Sequence, residues 1–102
     1  MHLLQLFLPL YDNEGSKLPN ALYSEVKEEL AQKFGGITAY NRAPAEGLWK
    51  EDSSQPHRDE LVIYEVMVDD FDPQWWRQYR ESLDQRFRQE RVLVRSQQID
   101  VI

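Results

Sequence analysis

Cysteine is missing altogether from this 102-residue sequence, which removes disulfides, a thiolate nucleophile and cysteine-ligated metal together. That absence favours a cytoplasmic setting. Histidine is nearly missing too: His2 stands beside the start and His57 in a polar stretch, too far apart in sequence to give a metal-ligand spacing. No metal and no other cofactor is therefore expected. The sequence has no Walker pattern, no dinucleotide fingerprint and no Gly-x-Ser-x-Gly elbow, so it offers no nucleotide cradle and no activated serine. No apolar run approaches the ~20 residues of a membrane span. Residues 1–10 are apolar, but they lack a basic start and a small-residue cleavage site, and read as a buried first strand rather than a secretory signal. Positive charge is also short, with 12 basic against 18 acidic side chains and a net charge of −6. This argues against nucleic acid or an anionic membrane as partner, since both bind through dense positive charge.

What is present fits a folded domain. Hydrophobic residues make up 41% and aromatics 12% of the chain, enough to argue against disorder. The length suits one domain over residues 1–102, burying roughly 60 to 70% of the surface its unfolded form would expose. Charge is uneven along it: residues 1–71 carry 6 basic and 13 acidic side chains, whereas residues 72–102 carry 6 arginines and 5 acids. Two solvated helix faces of different sign would account for that. A dipolar molecule, its acidic first helix meeting a basic second helix on a partner chain, is the alternative.

Two strand-helix-strand patterns organise the sequence. Residues 3–10 alternate as a strand, with Leu4, Leu6, Leu8 and Leu10 on one face and Leu3, Gln5, Phe7 and Pro9 on the other. Turn chemistry follows at residues 11–17, and Pro19 suits the first turn of a helix. Leu22, Val26, Leu30 and Phe34 recur every four residues as that helix's apolar stripe. Gly35-Gly36 ends it, because glycine takes the left-handed conformation without steric cost. A second strand is expected at 37–42, a short extended piece at 48–50 and a polar loop at 51–59. Residues 61–68 form the clearest strand, with Val62, Tyr64, Val66 and Val68 on one face and Leu61, Ile63, Glu65 and Met67 on the other. Asp72 as cap and Pro73 at the first position begin a helix with Trp76, Tyr79, Leu83 and Phe87 as its buried stripe and Trp75 beside it. A last strand is expected at 92–94 and 99–102, interrupted by Arg95, Ser96, Gln97 and Gln98.

Strand, helix, strand, strand, helix, strand is the α+β, ferredoxin-like βαββαβ order, with a four-stranded antiparallel sheet and both helices on one face. Such a sheet leaves its other face uncovered. Phe7, Tyr40, Arg42, Ile63, Glu65 and Arg95 are the candidates for that face. An apolar row of this size on a monomer is an association site, so the chain is expected to pair as a homodimer, burying Phe7, Leu61, Ile63 and Met67.

The segments Phe34-Gly35-Gly36-Ile37-Thr38, Gly47-Leu48-Trp49 and Arg86-Phe87-Arg88-Gln89-Glu90-Arg91-Val92-Leu93 resemble a group of small bacterial proteins of unassigned function, of the ferredoxin-like, dimeric α+β-barrel type. The likeness touches most of the chain from residue 34 onward and implies fold and pairing; it carries over no catalytic residue. More distantly, the architecture is similar to cofactor-independent monooxygenases and small isomerases, an analogy of fold.

Glu65 stands out because it interrupts an apolar row. A carboxylate there meets solvent or finds a cation, since leaving it buried and unpaired costs several kcal/mol. Arg42 and Arg95 are its expected partners, either as a structural ion pair at a dimer interface or as a polar anchor in a ligand pocket. The pocket reading lines a cavity between sheets with Tyr40, Arg42, Glu65 and Arg95, roofs it with Trp49 and the loop of His57, and places a small organic molecule inside. The alternative is a cofactor-free monooxygenase or isomerase in the same cavity, with His57 as base and Arg42 stabilising an oxyanion. His57 as a plain exposed loop residue is the competing assignment. Asp69, Asp70 and Asp72 could suggest an oxygen-ligated metal, but helix capping explains them better. RNA recognition modules share the strand order and stack bases on the open face, and Phe7 would suit that. Glu65 on the same face of a negatively charged protein argues against it.

Overall fold

The computed structural model describes residues 1–41 and 61–102. Six elements follow one another along the chain: β1 (His2–Pro9), α1 (Asn20–Phe34), β2 (Thr38–Asn41), β3 (Leu61–Val68), α2 (Pro73–Arg86) and β4 (Leu93–Gln98). The strands form a four-stranded sheet in the order β2-β3-β1-β4, antiparallel at every junction. The α+β class, the βαββαβ order and the four-stranded antiparallel sheet are those the sequence implies. The short extended piece and polar loop expected at 48–59 lie outside the described residues.

Alternation in the two central strands decides which face becomes the core. Leu4 pairs with Val66 and Leu6 with Tyr64 across the β1–β3 ladder, and all four are at most 4% exposed. Val26 and Leu30 of α1 and Trp76 and Leu83 of α2 join the same cluster, so both helices cover this one face. Full burial of a leucine contributes about 1.5–3 kcal/mol. The apolar stripe of α1 is as expected, with Leu22 and Phe34 half-buried at its ends. The helix begins one residue later than the proline suggests: Pro19 is its N-cap, extended at φ −67 and ψ 146, and offers no side-chain cap hydrogen bond.

Local chemistry sets the turns. The Asp12 carboxylate accepts from the backbone N–H groups of Glu14 and Ser16, both at 2.9 Å, which closes the turn after β1. Gly35 takes φ +88 at the end of α1 and donates to the Ala31 carbonyl at 2.8 Å. Asp72 accepts from Gln74 and Trp75 N–H at 3.2 Å each, with Pro73 at the first helical position. At the far end of α2, Gln89 N–H reaches back to the Asp84 carbonyl at 2.9 Å, a Schellman closure that puts Arg88 at φ +53. The Asp84 carboxylate then accepts from Val92 N–H at 2.6 Å, aiming the chain into β4.

The last strand departs from expectation. Residues 95–98, expected to interrupt it, lie inside β4, while residues 99–102 follow its end. An edge strand needs only its backbone ladder on one side. His2 to Phe7 of β1 supply that ladder in register with Gln98 to Leu93, so polar side chains that reach solvent are tolerated there.

Side chains between the helices complete the layer. Glu29 of α1 takes a two-pronged hydrogen bond from Arg86 of α2, at 3.0 and 3.2 Å, and a third from the Tyr79 hydroxyl at 2.7 Å. Burial pulls the Glu29 carboxyl upward, but those hydrogen bonds outweigh it and hold the group below the usual carboxylate range. Phe34 stacks on Trp76 at 5.2 Å and Trp75 on Tyr79 at 4.9 Å, which places both tryptophans in structural packing. Among the described residues, no helix is long and apolar enough to cross a membrane.

Candidate functional site

The sheet face away from the helices is where polar and apolar groups are arranged without covering elements among the described residues. Alternation sends Leu3, Gln5, Phe7 and Pro9 of β1 to this side, and register places Met67, Glu65, Ile63 and Leu61 of β3 opposite them. On the other flank Gln97, Arg95 and Leu93 of β4 stand opposite Leu3, Gln5 and Phe7. Met67 and Leu93 are 54% and 53% exposed.

One polar row crosses the middle of this face. Arg95 Nε donates to Gln5 Oε1 at 2.8 Å, and Gln5 Nε2 donates to Glu65 Oε2 at 2.7 Å. The amide turns its oxygen to the cation and its nitrogen to the anion, so its dipole matches both neighbours. Arg95 also lies over the Phe7 ring, 4.9 Å from the centroid, a cation–π contact. Thr38 of β2 stands opposite Glu65 and extends the row to the fourth strand. To one side lie Phe7, Ile63 and Leu93; to the other lie Leu3 and Met67.

A cavity of about 440 Å³ opens at the Glu65 end of the row. Leu3, Met67 and Ile37 give it apolar walls, Phe34-Gly35-Gly36 contributes one rim, and Glu65 and Thr38 supply the polar side chains. Its volume lies in the ~300–1,000 Å³ range of small-molecule pockets. A Cβ at Gly35 or Gly36 would meet nothing within 4 Å, so these positions leave space open rather than accommodate a close approach. Gly35 is still required by its backbone, at φ +88. A second hollow of about 270 Å³, between Phe7, Leu61 and Leu93, lies on the other side of the row.

The residues expected to form the site are distributed as follows. Glu65 lines the larger cavity, and Arg95 is joined to it through Gln5 rather than directly. Tyr40 sits in β2 at the register position opposite Ile63. Arg42, Trp49 and His57 lie outside the described residues. Gln5, Thr38 and Gly36 join the site in addition to the expected residues. Gln5 had a readable signal: it is the only polar residue on the outward row of the first strand, and an antiparallel alignment of the two long strands brings it beside Glu65. Thr38 and Gly36 gave no such signal, because their place depends on where β2 pairs.

Comparison with protein-family models, with curated proteins and with solved structures finds no match.

Proposed function

We propose that this chain is a homodimer whose open sheet faces meet, with a small organic molecule held in the chamber at the Glu65 end of the polar row. The βαββαβ order is taken as ferredoxin-like and the pairing as of the dimeric α+β-barrel type. The observation that carries the reading is the open face itself: two apolar strips, with Met67 and Leu93 more than half exposed, divided by a row that runs from cation to anion.

Charge order along that row favours a second copy as the occupant. A two-fold axis lying between the sheets and parallel to the strands reverses the row, setting each Arg95 opposite the partner's Glu65. An axis across the strands would set like charges opposite each other, which is unfavourable. A symmetric pair needs a self-complementary patch, and the first orientation supplies one.

The chamber's walls suit a ligand with an apolar body and a hydrogen-bond donor for Glu65 or Thr38. The alternative is a cofactor-independent monooxygenase or isomerase in the same cavity, which would draw on His57 and Arg42, both outside the described residues. The test of pairing is sedimentation: the parent should run as a dimer and Ile63→Asp as a monomer. A parent of monomer mass at all concentrations would end the proposal.

A further inference from the structure

A second site lies on the opposite side of the molecule's edge, between α2 and β4. A cleft of about 210 Å³ there is bounded by Arg77, Arg80, Arg91 and Arg95, with Trp76 and Phe71 among its apolar walls. Among the described residues, no aspartate or glutamate lines it. In a chain of net charge −6 with 12 basic residues, four of them border one small cleft. A neighbouring cleft of about 350 Å³ shares Arg80, Arg91 and Val94 with it, so the groove continues along the edge strand.

The four arginines are not equally committed. Arg95 turns its guanidinium to the open face, where Gln5 and Phe7 hold it. Arg80 is partly neutralised by Asp84 at 3.3 Å, one turn on, and more distantly by Glu81 at 3.9 Å. Arg77 and Arg91 have no acidic partner among the described residues. Arg77 and Arg80, three apart on α2, share one side of the helix. Arg91 comes from the segment that the Asp84–Val92 hydrogen bond fixes against the end of α2. Cations thus border the cleft from two directions, over a wall that includes an indole with 5% of its surface exposed.

Arginine forks match carboxylate and phosphate oxygens in pairs, and the apolar lining of Leu4, Phe71, Trp76 and Val94 offers contact to a flat apolar body. The small volume sets the size, below that of the ~300 Å³ at which drug-sized pockets begin. We propose that the cleft between α2 and β4 binds a small organic anion, a carboxylate or phosphate monoester on a flat apolar body, through Arg77, Arg80 and Arg91. This site does not depend on how the open faces pair.

The test is a titration of the full chain with benzoate, phenyl phosphate, inorganic phosphate and neutral benzamide, followed by backbone amide and indole resonances. Benzoate or phenyl phosphate should give saturable shifts at Arg77, Arg80, Ser96 and the Trp76 indole, weakening as salt is added. Inorganic phosphate should bind more weakly than phenyl phosphate if the apolar wall contributes, and benzamide should not saturate. Arg77→Gln and Arg91→Gln should each weaken binding roughly tenfold or more. Arg77→Lys should recover only part of the loss, because it restores charge without the fork. Arg88→Gln, outside the cleft, should bind as the parent does. Both arginines to be replaced are exposed, so folding is retained, and the amide spectrum checks it. Shifts that rise linearly with every anion, that benzamide reproduces, or that persist in the Arg77→Gln, Arg91→Gln double variant would overturn the proposal.

Discussion

Arg95 and Glu65 stand two strands apart on the open face of the sheet and are connected by the side-chain amide of Gln5, which accepts from one at 2.8 Å and donates to the other at 2.7 Å. The amide serves a cation and an anion at once because its oxygen accepts while its nitrogen donates. The row therefore depends on Gln5 more than on either charged residue.

Replacing Gln5 by alanine removes two hydrogen bonds to charged groups on a partly exposed surface. The expected loss is about 1–2 kcal/mol, read as a lower urea midpoint. Glu65→Gln should cost less, because its amide oxygen still accepts from Gln5. Equal losses in the two variants would contradict the bridging role.

The two faces of the sheet should respond differently to truncation. Leu6 is fully buried against the helices, whereas Leu93 is 53% exposed on the open face. Leu6→Ala should destabilise by about 2–5 kcal/mol at every protein concentration. The cost of Leu93→Ala should instead grow with concentration, since on this account its burial comes from a second copy. Thermal unfolding measured across a dilution series separates the two cases.

Alkaline pH should weaken the fold through Tyr23. Its hydroxyl donates to the Pro9 carbonyl at 2.6 Å; burial first, and then the neighbouring Tyr64, push it from 10.0 up to about 12. A raised phenol favours the protonated form in the folded state, so its contribution is complete below pH 10 and disappears as pH rises toward 12. Tyr64 and Tyr79 are shifted upward as well. Tyr23→Phe should therefore reduce the alkaline loss without abolishing it, while costing about 1 kcal/mol at neutral pH. Stability against pH, with tyrosinate absorbance followed in parallel, checks both the direction and the range.

Much of this architecture was legible because local and long-range signals agree. Leu4, Leu6 and Leu8 alternate against Val66, Tyr64 and Val62, and the Asp72-Pro73 pair begins a helix as capping chemistry dictates. β4 was harder to read. Ser96, Gln97 and Gln98 carry no apolar signal, and only the pairing with β1 makes them a strand. The start of α1 shows the same limit, since proline is acceptable both as cap and as first helical residue. For the candidate site, Glu65 was legible as a carboxylate on an apolar row. Its connection to Arg95 through Gln5 required the register of three strands, which no single segment contains.

The chamber can be tested without touching charge. Gly36 borders it, has no positive φ and has open space where a side chain would begin. Gly36→Phe should fold with a melting temperature close to the parent's and fill the cavity. A small apolar ligand found by screening the parent should lose measurable binding in this variant. Retained binding would place the ligand elsewhere.

Pairing through the open face is the central claim, and a charge exchange in the polar row addresses it most directly. Sedimentation equilibrium should show a dimer for the parent, weaker association for Glu65→Arg and for Arg95→Glu, and recovery when both changes are combined, because the exchanged row is again complementary within and between copies. Association that is unchanged in both single variants, or a parent that stays monomeric throughout, would contradict it.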